Sequence, residues 1–296
     1  MYELIPLGAK TYYIDSPSRV GIYRAGGDTV WLIDSGNCPD AGKKVLRVCE
    51  AQGWSIRAIV NTHAHADHIG GNGFLQKRTG CRIFCAGRDR AFINEPTFNS
   101  SYLFGGCPPK ELSGKFTLAE PSVCEELTDD VLPEGLSFRR FDGHSFSQSA
   151  IFCDDGTCFS GDILCGRETI EKYHIFFLQN VKAAADSVRA FSETNADLYC
   201  ASHYPPVHGK RELRALCDLN LQKIDEITER LLSVCATPKP FETVLKELQD
   251  GYNLYMNFTQ YAIAGSTVRS YLSSLHDDGR LNCIFEANSL LWETAK

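Results

Sequence analysis

The sequence predicts a layered α/β domain followed by a smaller helical unit with a winged-helix-like pattern. Three observations predict it. The first sixty residues hold short aromatic and β-branched runs punctuated by Gly, Asp and Ser, strand-like and helix-like segments then alternate to about residue 208, and long helical periodicity takes over after that. With 296 residues, 43% of them hydrophobic, the chain can bury a core and still carry a second module.

The segments follow in order. YELIPLG, TYYIDS, RVGIYRAG and TVWLIDSG read as strands. DAGKKVLRVCEAQGW sets Val45, Leu46 and Cys49 at helical spacing after a Pro-Asp start, and IRAIVNT returns to an extended apolar run. A helix over GGNGFLQKRTG precedes a strand at CRIFCAG. The stretch from 88 to about 135 mixes Pro, Gly, Asn and Ser with Phe92, Phe98, Tyr102 and Phe104, and reads as an irregular excursion; its 88–116 part is a candidate pocket wall, with Tyr102 and Phe104 as the wall residues. LSFRRFDGH is a strand, SAIFCDDGTCFSGD a hairpin turning at Asp154-Asp155-Gly156, VKAAADSVRAFSE a helix and ADLYCASH a strand. Beyond His208, Leu213, Cys217, Leu221, Ile224, Ile227 and Leu231 form one helical stripe that ends before Pro238 and Pro240. Helices at FETVLKEL and TVRSYLSSLHDD and a two-stranded wing complete the chain, which gives domains at 1–208 and 209–296.

Composition excludes several partners. A net charge of −7 gives no general attraction to phosphate backbones or anionic lipid. The would-be recognition helix STVRSYLSSL carries only Arg269, and residues 209–296 hold ten Lys/Arg against twelve Asp/Glu. That charge favours packing, dimerisation or pocket closure over DNA binding, with a homodimer as one outcome. The N-terminal MYELIPLGAKTYYID lacks a leader pattern, and no run of about 18 apolar residues occurs, so the expectation is a soluble cytoplasmic protein without membrane contact. The 13 cysteines are scattered and odd in number, and Cys81/Cys85 and Cys153/Cys158 sit in apolar strand-like contexts, which reads as reduced core thiols rather than bridges or metal ligands.

The chemistry concentrates at residues 61–71, NTHAHADHIGG, where three of the chain's eight histidines and an aspartate fall within six positions. Imidazole and carboxylate are the ligands that zinc takes in hydrolytic sites, and a strand-end loop can aim alternate side chains at one point. Asp67 and His68 are adjacent, so the chain must turn, which Gly70 and Gly71 permit. Four ligands in this arrangement divide between two metals.

THAHADHIGG resembles the signature of the metallo-β-lactamase superfamily, and the later motifs arrive in that family's order: DSG at 34–36, GHS at 143–145, FSGDIL at 159–164 and ASH at 201–203. The resemblance covers residues 1–208 and implies an αββα sandwich with its metals at one edge. It implies His63, His65 and His144 on one ion, Asp67, His68 and His203 on the other, Asp162 bridging both, and Asp34 supporting the ligand loop. His208, five residues past His203, is the rival for the last ligand; His174 and His276 lack ligand-like company. The chain departs from the family at Asp-Gly-His-Ser-Phe-Ser, where Pro-Gly-His-Thr-Pro-Gly is common, and at Cys165, where a large hydrophobe is usual.

The expected activity is hydrolysis of a small ester, thioester or lactone by a hydroxide bridging two zinc ions, iron or manganese being alternatives, with Asp67 and Asp162 as catalytic proton carriers. The presence of Asp162 resembles glyoxalase II-like members rather than true β-lactamases. A phosphodiesterase or RNA-processing enzyme, an iron sulfur dioxygenase-like enzyme and a non-catalytic winged-helix regulator are the competing readings.

Overall fold

A computed structural model describes residues 2–114 and 117–296. β1 (Glu3–Pro6), β2 (Thr11–Asp15), β3 (Val20–Gly26) and β4 (Thr29–Ile33) form an antiparallel meander. α1 (Pro39–Ala51) then crosses over to β5 (Ser55–Asn61), which pairs parallel to β4. α2 (Ala66–Ile69) and α3 (Asn72–Thr79) lead to β6 (Arg82–Cys85), and α4 (Asp89–Asn94) and α5 (Thr97–Phe104) precede β7 (Cys124–Glu126). β5, β6 and β7 continue the sheet in parallel, giving seven strands in sequence order.

The second sheet holds β8 (Leu136–Arg140), β9 (Ser149–Cys153) and β10 (Thr157–Gly161) antiparallel. After α6 (Arg167–Tyr173) and α7 (Val181–Ser192), β11 (Leu198–Ala201) joins parallel to β10, and β12 (Val207–His208) closes the edge.

Alternation along the strands decides the layers. In β4, Trp31 and Ile33 face inward with Val60, Phe84, Ile151 and Phe159, forming the core between the two sheets. Val30 and Leu32 point the other way, onto Val45 and Cys49 of α1 and Leu75 of α3. The outer face of the second sheet packs Cys158 and Tyr199 on Val188 and Phe191 of α7 and Leu213 and Cys217 of the next helix. The result is the expected αββα sandwich, with both helix layers bound by apolar faces.

That next helix, α8 (Gly209–Val234), has a split stripe: its first half packs on the sandwich, and Ile224, Ile227 and Leu231 pack on the C-terminal elements. These are β13 (Lys239–Pro240), α9 (Phe241–Gly251), α10 (Phe258–Asp277), β14 (Leu281–Glu286) and β15 (Ser289–Thr294). The wing is three-stranded, because Lys239 and Pro240 add a short edge to β15.

The structure departs from the sequence expectation at 88–116. In place of an irregular excursion it has α4, α5 and a 3₁₀ turn at Lys110–Leu112; Lys115 and Phe116 of that stretch lie outside the described residues. Each helix is about two turns or shorter, too brief for a 3.6-residue period to show in the sequence. All thirteen cysteines are free, and Cys81, Cys85, Cys153 and Cys158 are buried. Among the described residues, no helix is long and apolar enough to cross a membrane.

Candidate metal centre

The site forms where strands end. β5 delivers Thr62 to His65 and runs into the single turn of α2 with Asp67 and His68; the β8–β9 connection carries His144; β10 ends at Gly161, next to Asp162; and β11 ends two residues before His203. A bulge in the β10–β11 pairing between Phe159 and Gly161 re-aims the chain just before Asp162. The two glycines after His68 have a second role beyond the expected turn. Both are right-handed helical, and a Cβ on Gly70 would lie 2.4 Å from the backbone of Asn37 and Cys38, and one on Gly71 2.3 Å from the Ser35 carbonyl. Besides following the turn of α2, they let the 34–38 loop approach closely.

Seven of the expected residues come together in three overlapping groups: His63, His65 and His144; His63, His68 and Asp162; and Asp67, His68 and His203, each with its candidate ligand atoms within 4.8 Å of one another. In the first group His65 Nδ1 lies 2.9 Å from both His63 Nε2 and His144 Nε2. In the last, His203 Nε2 lies 3.0 Å from Asp67 Oδ2 and 3.3 Å from Asp162 Oδ2. His68 Nε2 is 3.3 Å from that same Asp162 oxygen and 3.6 Å from Asp67 Oδ2.

The outer nitrogens fix the tautomers. His144 Nδ1 faces the Phe177 carbonyl at 3.1 Å, and His68 Nδ1 faces Asp34 Oδ2 at 2.8 Å. Thr62 Oγ1 donates to Asp34 Oδ2, leaving its own lone pairs for His63 Nδ1 at 3.0 Å. His63 and His144 therefore keep the proton outside and turn a lone pair inward, and the same outer bond would leave His68 Nε2 as the ligating nitrogen once its second proton is lost. Asp34 holds this arrangement from a left-handed backbone (φ 64°), accepting also the Thr62 N–H at 2.8 Å, while Ser18 donates to Asp67 at 3.0 Å. Thr62, Ser18 and the Phe177 carbonyl were not anticipated, since an isolated hydroxyl or carbonyl leaves no pattern in a sequence.

Charge separates the two groups of histidines. Burial, reinforced by neighbouring imidazoles, lowers the pKa of His63, His65 (to about 3) and His144, so all three are neutral at pH 7. Asp162, acting against partial burial, raises His203 to about 10; burial of His68 is more than offset by Asp162, Asp67 and Asp34, which raise it as well. Burial alone would raise the two carboxylates, yet the facing imidazolium groups hold Asp67 and Asp162 well below the usual carboxylate range.

The donor set suits a cation. The nitrogens of three neutral rings meet at hydrogen-bond distance, more acceptors than one His65 proton could satisfy, and His68 Nε2 is buried without a hydrogen bond. Two carboxylates draw protons onto His68 and His203, which divalent ions would displace. The residues fit a metal pair.

The remaining expectations sort cleanly. His208 is exposed at the head of α8 and outside the cluster; His174 contacts Lys223 Nζ at 2.8 Å, and His276 faces the Leu281 carbonyl at 3.0 Å. Cys165 lies beside the site, but burial pushes its thiol well above the ordinary range, so it stays protonated. Phe104 is not a pocket wall: it is 43% exposed and stacks on Phe258. Tyr102 packs on Phe146 and borders a small crevice by His65 and a separate space of about 500 Å³ with Gln179, Asn180 and Lys182, but not the cavity that opens from His144, Asp162 and His203. The walls come from elsewhere. A cavity of about 490 Å³ opens from His144, Asp162 and His203, and its far side is built by Leu254, Ile263 and Ala264 of the C-terminal unit.

A family model described as "Metallo-beta-lactamase superfamily" matches residues 14–203. A hydroxyacylglutathione hydrolase of Maricaulis maris is 44% identical over 58% of this chain and 57% of its own length, and a "Probable metallo-hydrolase" of Bacillus subtilis is 26% identical over 68% and 89%. The match spans only about a fifth of the first hydroxyacylglutathione hydrolases, such as that of Methylococcus capsulatus (42% identical over 18% of this chain and 20% of its own). Among solved structures, a beta-lactamase domain protein from Burkholderia ambifaria aligns with a TM-score of 0.72 at 15% identity, over 99% of this chain and 94% of its own. A metallo-beta-lactamase family protein from Thermus thermophilus reaches 0.71 at 19% identity, over 99% and 98%. At such identities these two share the fold.

Proposed function

The chain belongs to the metallo-beta-lactamase superfamily, and from that premise we propose that it is a dinuclear metallo-hydrolase acting on a small ester, thioester or lactone. His63, His65 and His144 would hold one ion and Asp67, His68 and His203 the other, with Asp162 between them. Zinc suits this mixture of imidazole and carboxylate, as iron or manganese also can. Ions bound there would supply an acidified water and polarise the substrate carbonyl.

The chain's own groups do the rest. Asp34, Thr62 and the Phe177 carbonyl hold the His68, His63 and His144 rings with the outer nitrogen engaged, so loading would require loss of the extra protons on His68 and His203 but no turning of these three rings. Asp67 Oδ2, held by Ser18 and more open to solvent than Asp162, is the better placed carboxylate to carry a proton between water and the leaving group. Residues 1–208 form the catalytic unit in this reading, and residues 209–296 close its cavity. The relatives named as hydroxyacylglutathione hydrolases support acyl transfer to water. The acidic C-terminal unit argues against RNA or DNA as substrate.

The observation that carries the proposal is the meeting of three neutral imidazole nitrogens beside two carboxylates, an arrangement that a pair of cations satisfies. The test is metal analysis with a panel of thioesters, lactones, phosphodiesters and β-lactams. Close to two ions per chain and turnover of an acyl substrate are expected. His65→Ala and Asp162→Ala should each cut kcat/KM by at least about a thousandfold while circular dichroism stays native; full activity in both would refute the assignment.

A further inference from the structure

The 490 Å³ cavity has one polar end, made by His144, Asp162 and His203. The rest is largely apolar: Leu164, Ile175 and Phe176 line it from the sandwich side, and Leu254, Ile263 and Ala264 from the C-terminal unit. No Lys or Arg is among its described lining residues. Lys172 lies over the Tyr173 ring, 4.8 Å from the centroid, but is not part of the lining. The other polar groups include the amides of Gln249 and Gln260, the hydroxyls of Thr169 and Tyr204, and the Cys165 thiol.

A substrate group bearing a carboxylate away from the scissile carbonyl would leave water here for apolar walls that hold no Lys or Arg counter-ion. An alkyl or aryl group would instead exchange water for side-chain contacts, gaining about fourfold in kcat/KM per buried methylene. Phe177 and Ile263 also border a second, narrower space of about 120 Å³ on the side of His65 and Asp67. This pair of side chains thus divides the volume above the site into a large apolar chamber and a small one.

We infer that the large cavity is the subsite for an uncharged, apolar group bonded to the scissile carbonyl, and that Leu254 and Ile263 set its size and charge selectivity. The inference rests on the acyl-hydrolase reading and narrows it. It disfavours substrates whose acyl portion is anionic, and it gives the C-terminal unit a role in specificity.

The metal-loaded full chain is assayed with p-nitrophenyl acetate, butyrate, octanoate and monosuccinate, and octanamide binding is measured by calorimetry. The octanoate-to-acetate ratio of kcat/KM should be on the order of a hundredfold, the factor that burying three or four of the six extra methylenes gives, and monosuccinate should fall about a hundredfold below butyrate. Ile263→Trp, filling the chamber, should lower the octanoate-to-acetate ratio at least about tenfold and abolish octanamide binding. Leu254→Arg, in a half-buried position that tolerates a long side chain, should raise the monosuccinate-to-butyrate ratio by a similar factor. A wild-type ratio near unity, or ratios unmoved in both folded variants, overturns the subsite and leaves the hydrolase reading intact. Octanamide binding that Ile263→Trp abolishes, with no ester turned over, keeps the subsite and sinks the hydrolase reading. Neither binding nor turnover removes both.

Discussion

Replacing Asp34 with asparagine changes one atom and almost no volume, yet the hydrogen-bond network leaves the amide nowhere to sit. Asp34 Oδ1 accepts the Thr62 N–H at 2.8 Å; Oδ2 accepts the Thr62 hydroxyl at 2.8 Å and faces His68 Nδ1 at 2.8 Å. An NH₂ in the Oδ1 position meets a backbone donor that cannot turn away. In the Oδ2 position it meets His68 Nδ1, which must carry the ring's proton if Nε2 is to offer a lone pair to a metal. Neutral His68 is then driven to the tautomer protonated on Nε2, the buried nitrogen beside Asp67 and Asp162. Loss of such an orienting partner typically costs 10–100-fold in metal affinity, roughly 1.4–2.7 kcal/mol. The metal-free protein, losing an acceptor shared by two donors, should lose about 1–3 kcal/mol. Competition against a chromophoric chelator gives the affinity, and thermal melting of the metal-free protein gives the stability. Binding within about twofold of wild type in a folded Asp34→Asn variant would show that Asp34 does not set the His68 tautomer.

Two further outcomes follow from buried groups beside the site. Asp89, 1% exposed, is raised to about 6 by burial despite the Ser145 hydroxyl that donates to it at 2.6 Å. Its folded pKa lies above the unfolded value of about 3.9, so the folded state binds the extra proton between the two and stability falls as pH rises from about 4 to 6. Asp89→Asn should flatten that part of the pH–stability curve and leave the protein on the order of 2 kcal/mol more stable at pH 7 relative to pH 4 than wild type is; parallel denaturation curves at the two pH values would contradict it. Gly143 has φ 124°, and a Cβ there would stand 2.2 Å from the Ala184 backbone nitrogen in α7. Gly143→Ala should therefore destabilise by roughly 3 kcal/mol or more and weaken metal binding through the displaced His144; an unchanged melting temperature would count against this account.

Legibility in the sequence tracked how local each signal was. His63, His65, Asp67 and His68 lie within six residues after an apolar strand, so residue type and spacing sufficed to place them in one cluster. His144, Asp162 and His203 come from separate segments, and only the Gly-His-Ser, Ser-Gly-Asp and Ala-Ser-His motifs at strand ends tied them to it. The strands themselves were readable because β4, β5 and β10 are largely buried on both faces and rich in β-branched or aromatic residues. What escaped were contacts fixed by tertiary approach alone. Gly70 and Gly71 look like turn residues, but their requirement comes from a loop more than thirty positions earlier. Phe104 looks like a pocket wall, but α5 directs it outward onto Phe258.

The least legible feature was the use made of the C-terminal unit. Its pattern suggested a winged helix, whose second helix would need a free face for DNA. In α10, Val268, Tyr271, Leu272 and Leu275 are buried in the C-terminal core, and the opposite, exposed face offers Arg269 as its one Lys or Arg, with its guanidinium stacked on Phe241 at 3.8 Å. Thr267 Oγ1 accepts the Leu178 N–H and Ser270 Oγ accepts the Val181 N–H, at 3.1 and 3.0 Å. These two bonds pin the 175–181 segment, whose Phe177 carbonyl faces His144 Nδ1 and whose Phe177 ring divides the space above the cluster. The same helix places Ile263 and Ala264 in the cavity wall one to two turns earlier. A helix so engaged couples the appendix to the orientation of one candidate ligand and to the shape of the cavity beside the cluster.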